Sequence, residues 1–306
     1  MAFDIFVDSG ANLPDALVKQ HNIGVIPYSC TVDGVEMLCY DKDGNFAESA
    51  KKFYSQLRNG AEVKTSLIGV ARFEEFVTPT LKEGNDAIII TITSSLSGTH
   101  SQALAAKTEL EAKFPSNKVY VIDSANASMG TGLLALKIAE MKANGETAET
   151  CAAWAENNAY RINSFVTVDD LKFLRKGGRV SAVAAIAGTL LNIKPVLWAN
   201  DTIPAKLTVY GKERGRKKAL AAILKAFDER VENPESQTVA ITHADCLEDA
   251  NEIAEAVKAK GVKDVIIEYY DICTGAHVGP GTLALFFMGK NRLPEAAADS
   301  KKNSKK

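Results

Sequence analysis

Four hydroxyl side chains lie within six residues directly after an isoleucine-rich segment: Ser94, Ser95, Ser97 and Thr99. The pattern predicts a buried strand that turns into a helix at this point. Free backbone N–H groups and the helix dipole favour an anion at such a helix start, and the hydroxyls add further donors. One serine is enough to cap a helix. The number of hydroxyls therefore favours contact with an anionic ligand.

A second candidate for chemistry is the segment Asp271-Ile-Cys-Thr-Gly-Ala-His-Val-Gly-Pro-Gly-Thr-Leu283, which holds three glycines, a proline and one of the four histidines. Glycine allows the backbone to approach a ligand closely, and His277 supplies a polar, titratable group. A hydrophobic core needs none of these features. We therefore predict a turn here at which His277 meets a ligand.

The hydroxyl cluster does not match two well-known catalytic motifs. It contains neither Gly-x-x-x-x-Gly-Lys nor any lysine that could reach a phosphate, which argues against a P-loop. The segment Ser95-Leu-Ser-Gly-Thr99 lacks the first glycine of the Gly-x-Ser-x-Gly turn of serine hydrolases. A catalytic triad of Ser97, His277 and an aspartate is still possible if the turns converge in the fold. A hydrolase or acyltransferase is therefore one function that the sequence leaves open.

Two Asp-Ser pairs, at Asp8 and Asp123, follow apolar runs and have weaker prospects as catalytic groups. Capping a helix or bracing a neighbouring loop is the commoner role for such a pair, and we expect it here. No metal site is expected, because the four histidines are scattered and no His/Asp/Glu cluster has ligand spacing. The five cysteines show no Cys-x-x-Cys pair and are expected to be reduced and mostly buried.

The elements that must position these residues alternate between strand and helix. Apolar, β-branched runs at residues 4–7, 87–93 and 119–122 are each followed by small polar residues and a helical pattern. Repeated β-turn-α units predict a mainly parallel sheet covered by helices, with ligands bound beyond the carboxyl ends of the strands. All three turns should therefore lie on one rim.

The second half of the chain has a different pattern. It predicts strands at 164–168, 192–198, 203–210, 238–243 and 264–270, with helices at 169–176, 180–191, 215–231 and 247–260. The turn at Asn200-Asp201 indicates an antiparallel pair. The predicted fold is α/β with two domains: an N-terminal, mainly parallel domain (1–162) and a C-terminal mixed α/β domain (163–290). A polar, lysine-rich tail (291–306) follows.

The segment at the start of the second domain carries Arg175, Lys176 and Arg179 before an unusual helix. These cations could bind an anion or form a solvated face. The predicted helix at 180–191 is apolar or small on nearly every side, so it must be buried or border an apolar ligand.

Composition excludes several function classes. Apolar residues make up 46% and charged residues 24% of the 306 residues, with a net charge of −2, so no broad attraction to nucleic acid exists. No signal peptide precedes the first strand, and no run of about 18 apolar residues appears. The protein is expected to be cytoplasmic.

Six short motifs in order, from about residue 3 to residue 289, resemble the DegV family of fatty-acid-binding proteins, which includes the FakB subunits of bacterial fatty acid kinase. They are Asp8-Ser-Gly-Ala-Asn-Leu-Pro14, Lys64-Thr-Ser66, Ser94-Ser-Leu-Ser-Gly-Thr99, Leu174-Arg-Lys-Gly-Gly-Arg-Val-Ser181, Leu191-Asn-Ile-Lys-Pro195 and Gly275-Ala-His-Val-Gly-Pro-Gly281. The chain departs from the family in having Leu-Ile-Gly-Val after Ser66, and His100 where tyrosine is frequent.

The resemblance implies a non-enzymatic carrier with a lipid cleft between its two domains. One long-chain fatty acid, such as palmitate, would lie in a buried tunnel, its carboxylate presented to a separate kinase that makes the acyl phosphate. No cofactor, no nucleic acid and at most transient membrane contact are expected. The implied carboxylate site comprises Thr65, Ser66, Ser94, Ser95, Ser97, Gly98 and His277. Ser97 is the preferred serine, and the candidate contacts with the kinase are Arg175, Arg179 and Arg214.

A fatty acid is also physically compatible with the hydroxyl-rich turn. Burial of about 14 methylenes at roughly 0.8 kcal/mol each gives on the order of 10 kcal/mol, enough for tight binding after association costs. Hydroxyl and backbone N–H donors on Thr65, Ser97 and Gly98 could satisfy the carboxylate without a buried counter-charge.

Overall fold

The computed structural model describes residues 2–41, 46–179 and 192–294. The predicted helix at 180–191 and residues 295–306 of the predicted tail lie outside the described residues.

Strands and helices alternate along most of the described chain. The strands are Phe3–Asp8 (β1), Ile23–Ile26 (β2), Ser29–Val32 (β3), Val35–Leu38 (β4), Val63–Ser66 (β5), Asp86–Thr91 (β6), Val119–Asp123 (β7), Ile162–Thr167 (β8), Ile193–Ala199 (β9), Leu207–Arg214 (β10), Thr238–His243 (β11), Asp264–Tyr269 (β12) and Leu283–Met288 (β13). The helices are Asp15–His21 (α1), Phe46–Arg58 (α2), Val70–Lys82 (α3), Thr99–Lys113 (α4), Met129–Ala143 (α5), Ala148–Asn158 (α6), Lys172–Lys176 (α7), Arg216–Arg230 (α8), Leu247–Lys258 (α9) and Ile272–Val278 (α10).

The N-terminal sheet is parallel, as predicted, with strand order β2-β1-β6-β7. Every residue of β6 is buried, as a continuous Ile-rich run requires when both faces of a sheet are covered. Helices α3 and α4 pack on each other and on this sheet, and α5 and α6 form a second such pair. The turns after β1, β6 and β7 share one rim, because the carboxyl ends of parallel strands point the same way.

The C-terminal sheet is mixed, with strand order β10-β9-β8-β13-β11-β12 and a parallel pair only between β11 and β12. Helix α5 packs on β1 and β6 of the first sheet and on β8, β11 and β13 of the second. Its first turns, Met-Gly-Thr-Gly, are fully buried because the small residues let two sheets approach one helix. The fold is thus α/β with two domains, and the chain changes sheet at Ile162. The domain limits themselves stay a prediction.

A small antiparallel sheet, in the order β4-β3-β5, was not predicted. It lies between β2 and α3 in the sequence. Its strands have four residues each, and β4 is exposed along its whole length, so no strong hydrophobic period marks them. This sheet carries Thr65 next to Cys30 of the central strand β3.

The predicted turn around His277 is wrong, because residues 272–278 form the helix α10. Asp271 caps this helix by accepting a hydrogen bond from the Thr274 backbone N–H at 3.0 Å. A Cβ at Gly275 would come within 2.4 Å of the Tyr54 hydroxyl, so glycine is needed there for close packing rather than for a turn. Positive φ angles occur only afterwards, at Gly279 and Gly281.

The predicted strand at 203–210 is also displaced, since β10 begins at Leu207 and continues to Arg214. The Asn200 side-chain oxygen accepts hydrogen bonds from the backbone N–H groups of Thr202 and Lys206. These bonds fold residues 200–206 into a loop, although the antiparallel pairing of β9 with β10 is as predicted. Within the described ranges, no helix has the length and apolar character needed to cross a membrane.

Candidate ligand-binding site

A cavity of about 300 Å³ lies where the two domains meet, and we call it the central cavity. Its volume is at the lower end of the range for small-molecule sites. The residues that line it come from β5, the turns after β6 and β7, strands β8, β9, β10 and β13, and α10. Most of its wall is apolar, including Leu67, Ile92, Leu96, Val166, Leu174, Leu207, Val278 and Phe286.

The hydroxyl cluster reaches this cavity through Ser97, just before the first turn of α4. The Ser97 Oγ accepts a hydrogen bond from the Thr99 backbone N–H at 3.2 Å and lies 2.9 Å from Thr99 Oγ1. Thr99 Oγ1 also accepts from the Ile68 backbone N–H at 3.3 Å. Ser97 therefore organises the helix start and still lines the cavity, so capping and contact with a ligand are compatible.

Thr65 and His277, which are 212 residues apart in the sequence, are joined by a hydrogen bond inside the cavity. Thr65 Oγ1 lies 2.9 Å from His277 Nε2. Thr65 projects from β5 and His277 from the last turn of α10, so the contact requires both the small sheet and the helix. The structure thus brings Thr65, Ser97 and His277 to one cavity, together with Ser66.

His277 is neutral at physiological pH. Burial, together with the positive charge of the nearby Arg179 guanidinium, lowers its pKa to about 4. Both effects disfavour the imidazolium. The ring can therefore act as a hydrogen-bonding group without adding a charge to the site.

Arg179 lines the central cavity, although the sequence suggested a contact with a partner protein. Its Nε and one terminal nitrogen each donate to the Leu96 carbonyl at 3.1 Å, and the other terminal nitrogen donates to the Gly177 carbonyl at 2.6 Å. The guanidinium thus fixes the turn before Ser97 and places a positive charge beside the cavity.

Tyr28, which no sequence motif marked, also lines the cavity. Its hydroxyl is buried and makes no hydrogen bond of regular geometry within the described residues, although the Thr99 and Ser97 hydroxyls and the Asp8 carboxyl group lie close to it. Burial raises the pKa of Tyr28 well above its usual range, with a further contribution from the Asp8 carboxylate, so the phenol keeps its proton. A buried hydroxyl of this kind is a donor for a ligand in the cavity.

The other predicted site residues lie elsewhere. Ser94 and Gly98 are not among the cavity-lining residues, and Ser95 donates through Oγ to the Ala205 carbonyl at 2.5 Å. Arg175 and Arg214 are exposed, on α7 and at the end of β10.

The expected bracing role of the two aspartates is confirmed. Asp8 Oδ2 accepts from the Ile92 backbone N–H at 2.7 Å, and Asp123 Oδ2 accepts from the Ser94 backbone N–H at 3.1 Å. Both bonds hold the turn after β6 against its neighbours on the sheet. Burial raises the pKa of Asp8 to about 7, with Asp271 adding repulsion.

The hydrogen bonds of the site do not form a serine triad. His277 Nε2 contacts Thr65, whereas Ser97 Oγ contacts Thr99. A serine nucleophile needs its base within hydrogen-bonding reach. The geometry therefore gives no support to the hydrolase alternative.

Comparison with known proteins gives a consistent result over nearly the whole chain. The model of the DegV family, described as a family of uncharacterised proteins, matches residues 2–290. A DegV domain-containing protein of Clostridium perfringens is 38% identical over 293 residues, which are 95% of this chain and 99% of that protein.

Two solved structures share the fold. A DegV family protein from Thermus thermophilus, described as binding a fatty acid, has a TM-score of 0.85 at 26% identity and covers 95% of this chain and 100% of its own. DegV from Bacillus subtilis, described as a fatty acid binding protein, has a TM-score of 0.82 at 28% identity with the same coverage. The ordered motifs, the two-domain fold and these matches agree, and the chain belongs to the DegV family.

Proposed function

We propose that this protein binds one long-chain fatty acid in the central cavity, with the carboxylate beside Thr65, Ser97 and His277. The observation that carries the proposal is an apolar cavity in which hydroxyl donors and a neutral histidine converge from three separate elements. An apolar wall suits an acyl chain, and hydroxyl donors suit a carboxylate that must not be left unpaired. The fatty acids bound by the Thermus and Bacillus relatives support this choice of ligand.

The Thr65–His277 pair supports a specific direction of donation. His277 Nδ1 is buried without a partner among the described residues, and a Cβ at Gly177 would come within 2.2 Å of it. Because orphaned buried N–H groups are rare, we assign the ring proton to Nε2. Nε2–H then donates to Thr65 Oγ1, and the Thr65 hydroxyl proton is free to donate to the carboxylate.

Three further groups suit an anion at this end of the cavity. The Tyr28 hydroxyl is a protonated donor, and Ser97 adds another hydroxyl. Arg179 contributes a positive charge while its own hydrogen bonds go to Leu96 and Gly177. The carboxylate is therefore stabilised by neutral donors and a nearby cation, without a direct ion pair that would block one of its oxygens.

Binding is tested by titrating delipidated protein with palmitate and, separately, with palmitate methyl ester. We expect one palmitate per chain with micromolar or tighter affinity, and weaker binding of the ester because it lacks the charge that the donors stabilise. Equal affinities for acid and ester would place the carboxylate outside this donor cluster. Absence of palmitate binding would contradict the proposal.

We further propose that the protein is a carrier and that a separate kinase phosphorylates the bound acid. In that reaction a carboxylate oxygen attacks the γ-phosphorus of ATP, the bond to ADP breaks, and an acyl phosphate forms. The exposed cations Arg175 and Arg214 are the candidate contacts with the kinase. Charge complementarity at such a surface mainly sets the rate of association.

The kinase step is tested with a purified bacterial fatty acid kinase, ATP and hydroxylamine, which converts acyl phosphate to a hydroxamate. We expect hydroxamate only when both proteins are present, and at least tenfold less with Arg214→Glu. Lys258→Glu is the matched control. Lys258 is on α9, which packs on β11 and β12, whereas Arg214 ends β10 at the opposite edge of the same sheet. Product formation by this protein alone would contradict the carrier role.

A further inference from the structure

Two cysteines and an aspartate from distant parts of the sequence meet beside the central cavity. The Sγ atoms of Cys39 and Cys273 and a carboxylate oxygen of Asp271 all lie within 4.8 Å of one another, and all three residues are buried. Cys39 directly follows β4, Asp271 caps α10, and Cys273 is in the first turn of that helix. Nothing in the proposed fatty-acid site uses Cys39 or Asp271.

We propose that Cys39, Cys273 and Asp271 bind one zinc ion. Zinc takes four ligands in a tetrahedron and accepts thiolate sulfur at about 2.3 Å and carboxylate oxygen at about 2.0–2.2 Å. Ligand atoms on such an ion are about 3.3–3.8 Å apart, which the three side chains reach by moving about 1 Å or less. Two thiolates favour zinc over the oxygen-preferring ions magnesium and calcium.

The fourth ligand in this proposal is Cys30. The Cys30 and Cys39 thiols lie within hydrogen-bonding reach of each other, and Cys39 is also within reach of Cys273. Cys30 is 1% exposed and lies on β3; its sulfur is not one of the three atoms that lie within 4.8 Å of one another, so it must move further than they do to reach the ion. A set of three sulfurs and one oxygen completes a closed, four-coordinate structural site.

Hydrogen bonds hold the Asp271 carboxylate in place. Oδ2 accepts from Asn12 Nδ2 at 2.8 Å, and Oδ1 accepts from the Thr274 backbone N–H at 3.0 Å. The Thr274 hydroxyl and the Cys273 backbone N–H also lie within hydrogen-bonding reach of this carboxylate, so a bound cation would take the place of one of these donors. Such outer hydrogen bonds orient ligands in known metal sites.

An ion can reach the cluster through a second cavity of about 490 Å³, which Cys39 and Asp271 both line. Its wall also carries Asp8 and Glu268, two carboxyl groups whose pKa values are raised by burial. Each thiol that becomes a ligand releases its proton as the metal–sulfur bond forms, so binding replaces buried thiol protons by zinc.

Zinc at this position would join the two elements that form the carboxylate site. Cys30 pairs with Thr65 across β3 and β5, and Cys273 lies one helical turn before His277 on α10. The ion would therefore hold the small sheet and the helix together and stabilise the Thr65–His277 contact. This inference does not rest on the proposed function, because metal binding is measured without lipid.

The test begins with reduced, metal-free protein whose five thiols are confirmed by titration. Addition of Co²⁺ under anaerobic conditions should give the d–d bands of a tetrahedral ion and a thiolate-to-cobalt charge-transfer band that saturate at one ion per chain. Stoichiometric Zn²⁺ should abolish both signals and raise the thermal unfolding temperature by several degrees. A lack of saturable Co²⁺ or Zn²⁺ binding by the reduced wild-type protein would overturn the proposal.

Variants identify the ligands. Cys39→Ala and Cys273→Ala should each lower Co²⁺ affinity at least 100-fold, whereas Cys151→Ala, at a buried cysteine on α6, should leave it unchanged. Undiminished tetrahedral cobalt spectra in both ligand variants would overturn the assignment. Palmitate titration of the same preparations reports the lipid site separately, so failure of metal binding and failure of fatty-acid binding are distinguishable.

Discussion

Removal of one hydroxyl, by Thr65→Val, is the sharpest test of how the carboxylate is held. Valine keeps the shape of the side chain and its preference for β5. A hydrogen bond to a charged group contributes about 1.5–3 kcal/mol, so the variant should bind palmitate about 10- to 150-fold more weakly. The hydroxyl also lies 2.9 Å from His277 Nε2, and its loss leaves that N–H unpaired with and without ligand. That second effect should lower the free energy of unfolding by about 1–3 kcal/mol.

The assay is isothermal titration of delipidated protein with palmitate and with palmitate methyl ester, since only the acid provides the charged acceptor. The variant should lose affinity for the acid and much less for the ester. Thr31→Val is the matched control, because Thr31 lies on β3 of the same sheet and does not line the cavity. Unchanged affinity for palmitate, or an equal loss for acid and ester, would refute the placement of the carboxylate at Thr65.

Three further predictions concern the same cavity. Gly177→Ala should displace the His277 ring, because the new Cβ would lie 2.2 Å from Nδ1. Palmitate affinity, measured by titration, should then fall at least tenfold. The control is Gly69→Ala, which should leave palmitate affinity unchanged because nothing lies within 4 Å of a Cβ at that position. Because the pKa of His277 is lowered to about 4, its contribution to stability, up to about 3 kcal/mol, is lost as pH falls from about 6.5 through 4. Between pH 7 and pH 4.5, urea unfolding should therefore show a smaller loss of unfolding free energy in His277→Gln than in the wild type. The raised pKa of Asp8 acts in the opposite direction, but it is present in both proteins and cancels in the comparison. Equal losses of unfolding free energy would contradict the lowered pKa of His277. Ala205 lines the cavity, so Ala205→Leu takes up part of its volume and should weaken binding of palmitate more than binding of the shorter laurate. Equal weakening for both acids in competition assays would argue against an acyl chain beside Ala205.

The sequence predicts the framework of the first domain because its signals are local and strong. The run of isoleucines in β6 is long enough to indicate a buried strand, and the hydroxyls that follow mark the start of α4. Strands that alternate with helices then imply one rim for the turns. Ser97 could be identified on that basis, since its place on the rim follows from the parallel order alone.

The rest of the site depends on contacts that no local pattern encodes. The segment around His277 is rich in glycine, yet it folds into α10 because Asp271 caps it and Gly275 packs against Tyr54. Tyr28 lies beside a small sheet whose four-residue strands show no strong period. Arg179 belongs to a charge run that is ordinarily solvated, and its bonds to the Leu96 and Gly177 carbonyls hold it at the cavity. Long-range packing decides each of these positions.

The cysteine cluster shows the same limit. The sequence predicts no metal site because Cys30, Cys39 and Cys273 have no ligand spacing, and Asp271 stands more than 200 residues from the first two. The fold brings Cys39, Cys273 and Asp271 together through the end of β4 and the start of α10, with Cys30 nearby on β3. Spacing rules identify sites within one segment and miss a site that two segments assemble.

Mass spectrometry of the intact protein purified under native conditions, with an organic extract measured in parallel, shows whether the protein carries a fatty acid. We expect a population heavier by the mass of one long-chain fatty acid and the same acid in the extract, and delipidated protein incubated with palmitate should gain the mass of one palmitate. Protein that carries no acyl chain after purification and takes up none from micromolar palmitate would contradict the proposed binding of a fatty acid.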